Sequence, residues 1–255
     1  MIEIDGSYGE GGGQLARTAV ALSAITRKPV RIFNVRARRD EPGLAPQHLA
    51  ALRAVGAICA ARTEGLELGS TAIAFEPDAL KGGEYHFDVG TAGSVTLVLQ
   101  AVLPVMLACR SASRFTITGG TDIRQSPPVD YVGEVLLRHL AHMGAHVDFR
   151  VRRRGYYPRG GGEVAVEITP ARLHAIQWTS PGHLRSLRGA AHVAGLPAHI
   201  PERMRDAALA EGESTFTVRE VTTHARTAMW LIEQFLPVRF VEDRPDGFYR
   251  VRVQR

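Results

Sequence analysis

Three times along this chain a loop or turn runs into an apolar helical pattern and then a short strand-like run: residues 11–35, 90–118 and 222–241. A second theme recurs beside it. Pro42-Gly43 leads to a helical stretch ending Val55-Gly56-Ala57, Pro127-Pro128 to one ending Met143-Gly144-Ala145, and Pro201 opens a third. A chain that repeats its order of elements repeats its fold, because each copy must bury the same kind of apolar face. The pattern predicts an α/β (α+β) protein of three repeated modules, each a small β-sheet with two helices packed on one face. Module bounds are expected at about residues 1–85, 86–170 and 171–255. No Pro/Ser-rich linker divides them, so residues 1–255 are read as one compact core whose glycine loops can converge. Chance similarity between helix–strand segments is the plainer alternative.

Within this frame, strands are expected at residues 2–4, 30–35, 71–75, 85–89, 114–118 and 146–151, and helices at 47–61, 94–108, 130–143 and 225–235. The first connection, Asp5-Gly6-Ser7-Tyr8-Gly9-Glu10-Gly11-Gly12-Gly13-Gln14, is the richest in glycine. Bare backbone N–H groups at a helix start make an anion site. Its single central carboxylate, Glu10, suits such a place if a cation lies between it and the anion. The loop lacks the Gly-Lys-Ser/Thr ending of a P-loop, and Gln14 stands where a dinucleotide fingerprint has its third glycine. A tight strand-to-helix turn explains the glycines equally well.

The net charge of +5 rests on arginine, with only two lysines. Arg27, Lys28, Arg31, Arg36, Arg38 and Arg39 form one cluster; Arg150, Arg152, Arg153, Arg154 and Arg159 form another. Two arginine clusters point to a polyanionic partner, most simply nucleic acid, against the alternative of a solvated basic face. An apolar fraction of 45% excludes disorder as the default. With no apolar run of membrane-spanning length and no signal-peptide pattern, the expectation is a cytoplasmic protein without a membrane partner. Cys59 and Cys109 read as core thiols.

Arg154-Gly155-Tyr156-Tyr157-Pro158-Arg159-Gly160-Gly161-Gly162 resembles the signature of RNA 3′-terminal phosphate cyclases. The 5–14 loop is similar to the same family. So are Pro42-Gly43-Leu44 with Gln47-His48-Leu49, residues 96–100, Gly119-Gly120-Thr121-Asp122 with Pro127-Pro128, Thr223-His224, and residues 233–240. The matches run in order along nearly the whole chain. The resemblance implies ATP and Mg²⁺ or Mn²⁺ as cofactors and an RNA with a 3′-phosphate end as partner. It also implies a histidine that becomes adenylylated, transfer of AMP to the RNA phosphate, and closure to a 2′,3′-cyclic phosphate. It assigns the nucleophile to His224, the metal to Glu10, the nucleotide to Gln100 and Pro127, and the RNA phosphate to Arg17, Arg36, Arg39 and Gln47. A helix start with Arg219 and Arg226 nearby suits a neutral, nucleophilic imidazole at His224. The segment 154–162 is expected to be architectural, and His48 and Asp122 carry no sharp role.

The chain departs from the family in its third module. The small inserted domain has no room near residues 200–212, the Tyr and Asp that contact nucleotide in the preceding helix have no counterpart, and Ala228 replaces an asparagine. A non-catalytic RNA-binding scaffold of the same fold, acting in RNA or ribosome assembly, is the alternative reading. A transferase of similar repeats, such as an enolpyruvyl transferase, fits the ordered motifs poorly. The oligomeric state is not legible.

Overall fold

The computed structural model describes residues 1–9, 11–176, 190, 192–195, 197, 199–209, 214–218, 239–243 and 249–254. They fall in two units, Met1–Thr179 and Ser180–Arg255.

The first unit holds two modules of one design. Module one runs β1 (Ile2–Asp5), α1 (Gly13–Thr26), β2 (Val30–Phe33), α2 (Pro46–Ile58), β3 (Arg62–Glu64) and β4 (Ile73–Glu76). Module two runs β5 (Glu84–Asp88), α3 (Val95–Leu107), β6 (Ser113–Gly119), then α4 (Val129–Tyr131), a wider π-type turn (Val132–Leu136) and α5 (Leu137–His142), then β7 (His146–Arg153) and β8 (Gly162–Thr169). The sheet orders are β1-β2-β4-β3 and β5-β6-β8-β7. In each, the first pair is parallel and the others antiparallel. The mixed α/β architecture agrees with the expectation.

The likeness extends to single hydrogen bonds. Asp5 pairs with Phe33 and Asp88 with Thr118 in the parallel registers. The next residue then donates to the same partner's carbonyl, Gly6 to Phe33 at 2.7 Å and Val89 to Thr118 at 3.0 Å. Each aspartate accepts the N–H two residues on, from Ser7 or Gly90, and a side chain of the neighbouring strand end, Asn34 or Thr118. These bonds, the backbone N–H first, hold both carboxyls below their usual range.

Inward strand residues alternate with solvated ones: Val30 and Ile32, Ile73 and Phe75, Val164, Val166 and Ile168 are buried. Helix α3 is different. All of it is buried except Gln100 and Pro104, because α1 and α2 pack against it while its own sheet lies beneath. One apolar core therefore runs through both modules.

Several expected bounds shift. Helix α2 continues through Gly56, which sits against the Phe75 ring, and ends at Ile58. The helix expected at 130–143 is broken by the π-type turn, where Gly133 lies against Phe149. Strands β3 and β8 were not expected. In β3 all three residues are exposed, so no apolar alternation marks it.

In the second unit, α6 (His199–Leu209) begins two residues before Pro201. Proline is tolerated in a first turn because its N–H would be unpaired there. Strands β9 (Ser214–Val218), β10 (Arg239–Asp243) and β11 (Tyr249–Gln254) form an antiparallel sheet in the order β10-β11-β9. The helix expected at 225–235 lies outside the described residues.

Candidate active site

The parallel pairs decide where a site can form. Helices α1 and α2 each follow the carboxyl end of β1 or β2, and α3 and α4 follow β5 or β6. Helix N-termini thus gather at the strand ends where open α/β sheets bind ligands.

Side chains join these ends into one cluster. Gln47, in the first turn of α2, accepts through Oε1 from the N–H of Ser94, the N-cap of α3, at 3.3 Å. The Ser94 and Thr96 hydroxyls bond at 2.8 Å, and Thr96 donates to the Pro127 carbonyl at 2.7 Å. Gln47 and Pro127 are thereby tied to the same helix start.

The α1 start carries no side-chain cap: Gly12 is extended, and no acidic residue lies in the first turn. Its first N–H groups remain available to an anion. A Cβ on Gly12 would lie 3.3 Å from an Arg39 guanidinium nitrogen, so Arg39 reaches over this helix start. A Cβ on Gly13 would lie 2.1 Å from His48 Nε2, so only glycine admits the ring there.

Arg17 is the unusual residue. It is only 7% exposed, and among the described residues no carboxylate or carbonyl accepts from its guanidinium. Burial pulls its pKa below the ordinary arginine value. Buried cations are normally paired, so this side chain holds five donors in readiness for an anion. Arg36, in a left-handed conformation after β2, spends one donor on the Gly43 carbonyl at 2.7 Å. His48, 6% exposed, is held to about 4 by burial, then by the fields of Arg17 and Arg36.

Arg17, Arg36, Arg39 and Gln47 thus lie about the α1 and α2 starts, with Pro127 linked through Thr96. Gln100 lies about 9 Å along the α3 axis from Ser94, six residues at the helical rise. It lines a groove of about 410 Å³ with Leu103, Pro104, Leu107, Leu136 and Leu140. Pro104 has no N–H to return to the Gln100 carbonyl. Glu10 and His224 lie outside the described residues. Among the described residues no three His, Cys, Asp or Glu side chains gather as metal ligands.

The arginine clusters resolve differently from their sequence reading. In the second, Arg150 pairs with Asp148, Arg152 with Glu163, and Arg154 with both Asp122 and Asp130, while Arg153 donates to the Gly161 carbonyl. These arginines are largely neutralised by their own fold. Asp122 gains a structural role: it ties the 154–162 turn to the 119–122 loop, where Gly155 and Thr121 exchange backbone and hydroxyl bonds. In the first cluster, Arg27 and Lys28 lie before β2, Arg31 within it, and Arg36, Arg38 and Arg39 beyond its end. Of these, Arg36 and Arg39 lie near the helix starts. His48, given no sharp role from the sequence, stands in the first turn of α2 with its ring against the bare glycine that opens α1.

A family model described as RNA 3′-terminal phosphate cyclase matches residues 8–241. A protein of that name from Nitrosospira multiformis is 41% identical over 341 aligned positions, covering 100% of this chain and 97% of the relative. Those positions outnumber the 255 residues of this chain, so part of the relative has no counterpart here. Proteins of the same name from Methanopyrus kandleri and Archaeoglobus fulgidus are 53% and 50% identical over 82% of this chain. Those matches span 59% and 63% of the relatives' lengths. No helix among the described residues is long and apolar enough to cross a membrane.

Proposed function

The chain belongs to the RNA 3′-terminal phosphate cyclase family, and from that premise we propose that it closes an RNA 3′-phosphate into a 2′,3′-cyclic phosphate at the expense of ATP. The observation that carries the reading is the largely buried Arg17, without an acceptor among the described residues, beside the uncapped start of α1. A site with an unspent guanidinium and free helix N–H groups is built for a phosphate. Arg36, Arg39 and Gln47 complete the grip on the RNA terminal phosphate.

In the first step His224 attacks the α-phosphorus of ATP; a P–N bond forms, and the bond to the departing pyrophosphate breaks. A terminal phosphate oxygen of the RNA then attacks the same phosphorus and releases the histidine. Finally the 2′-hydroxyl attacks the terminal RNA phosphorus, loses its proton, and AMP leaves. The arginines hold the terminal phosphate and stabilise the charge that shifts among its oxygens. Gln100 over the apolar groove suits a nucleoside, and Pro127 suits the flat face of a base. A Mg²⁺ or Mn²⁺ ion beside Glu10 would neutralise the phosphates. The longer aligned relative supports reading this chain as a three-repeat core without the family's insert.

The test is incubation with ATP labelled at the α-phosphate, with Mg²⁺ or Mn²⁺. An acid-labile protein–AMP adduct, lost in His224→Ala, is expected. An intact protein that forms no adduct with either metal sinks the proposal.

A further inference from the structure

We propose that His48 is a positioning residue of the phosphate site: its ring is the wedge that sets the α1 start against the α2 start and keeps Arg17 and Arg36 aimed at one anion. The proposal rests on reading this site as the pocket for the RNA 3′-phosphate.

Two contacts fix the ring. The Ala45 N–H donates to Nδ1 at 3.2 Å, which ties the imidazole to the N-cap of α2 and leaves the proton on Nε2. On its other side the ring lies against Gly13: a Cβ there would meet Nε2, Cδ2 and Cε1 at 2.1, 2.3 and 2.6 Å. Arg17 stands four residues after Gly13, on the same face of α1. The wedge therefore touches the turn that carries the unpaired guanidinium.

A purely structural core histidine would have both nitrogens satisfied. Here, among the described residues, no hydrogen bond reaches Nε2, and the atom is not sealed from solvent, since the enclosed side-chain atom without a partner is Ser113 Oγ. Its N–H donor is held at the first turn of α1, where an anion would sit. A lysine or arginine in this place would add another cation beside Arg17 and Arg36. A neutral imidazole supplies a donor without that charge, and burial with the fields of Arg17 and Arg36 keeps it neutral.

The experiment compares RNA oligonucleotides ending in 3′-phosphate or 3′-hydroxyl, by binding anisotropy and by steady-state cyclisation. A wild type that binds both ends equally removes the pocket reading itself, whatever His48 does. Given a wild-type preference, His48→Ala is expected to raise the KM for 3′-phosphate RNA about tenfold with kcat within about threefold. His48→Asn, which keeps an acceptor for Ala45 and a donor beyond it, recovers most of the loss. Gly13→Ala displaces the ring and reproduces the His48→Ala phenotype. Circular dichroism establishes that each variant is folded. A folded His48→Ala or Gly13→Ala protein that keeps the full 3′-phosphate preference overturns the proposal, as does an Asn variant no better than Ala.

Discussion

Replacing Arg17 with methionine should make the free protein more stable and the phosphate-bound protein less so. Arg17 is 7% exposed and unpaired among the described residues. Methionine has similar reach and no charge, so the change removes a mostly buried cation without opening a large cavity; the guanidinium nitrogens are not fully sealed from solvent, so the general cost of burial is an upper bound. Leaving a buried polar group without a partner costs about 1–3 kcal/mol, more for a charged one. Arg17→Met is therefore expected to gain at most about that much in phosphate-free buffer. For a chain of this size that is a rise in Tm of roughly 2–4 °C per kcal/mol.

Phosphate should reverse the order. A ligand at a hundred times its Kd stabilises a folded protein by about 2.7 kcal/mol. The wild type gains this when the anion reaches Arg17, and the variant gains little. Thermal melts across a series of phosphate concentrations, at constant ionic strength, read both effects. The two curves should cross. A variant that melts lower than wild type in phosphate-free buffer would mean that the guanidinium already has a favourable partner. A variant stabilised by phosphate as fully as wild type would mean that Arg17 does not hold the anion. Either result refutes the reasoning.

Arg154→Ala should cost about 1–2 kcal/mol in urea denaturation, because Arg154 is 20% exposed and pairs with both Asp122 and Asp130, leaving Asp122 with its Thr121 bond alone. Arg152→Ala, whose pair with Glu163 is more exposed, should cost about 0.5 kcal/mol or less; equal losses would show that the 154–162 turn is not anchored through Arg154. The folded His48 pKa of about 4 against 6.5 unfolded means that the unfolded chain binds the extra proton between those values. His48 thus makes stability rise with pH across that window, fully present above 6.5 and lost as pH falls towards 4, by about 2–3 kcal/mol. His48→Asn should flatten that part of the stability–pH curve; an unchanged slope would mean that His48 is not held neutral.

The helices α1 and α3 and the parallel strands before and after them were legible because their apolar spacing is local. Strand β8 alternates as clearly, but it follows directly on the glycines at 160–162, which carry no strand signal of their own. The break between α4 and α5 has no local mark; Gly133 accommodates a ring from β7, a contact made only after folding. Among the site residues, Arg17 is assigned to phosphate through the family resemblance, and nothing in its local sequence marks its burial. It is buried because α2 and α3 close over α1. The second arginine cluster read as a partner surface, and most of it is answered by carboxylates from β7, β8 and the loops after β6.

The amino-acid order alone determined the alternation of elements, the glycines that let the chain turn at Gly11 and Gly12 into α1, and the ordered motifs that mark the family. These depend on backbone conformation and hydrogen bonds spanning a few residues, so they are written locally. Tertiary structure alone decided which arginines are spent and which are free, that His48 is neutral, and that Gln47 binds the α1–α2 edge to α3. Burial, charge and anion affinity are sums over groups from distant segments, and those groups meet only when the two modules pack into one core.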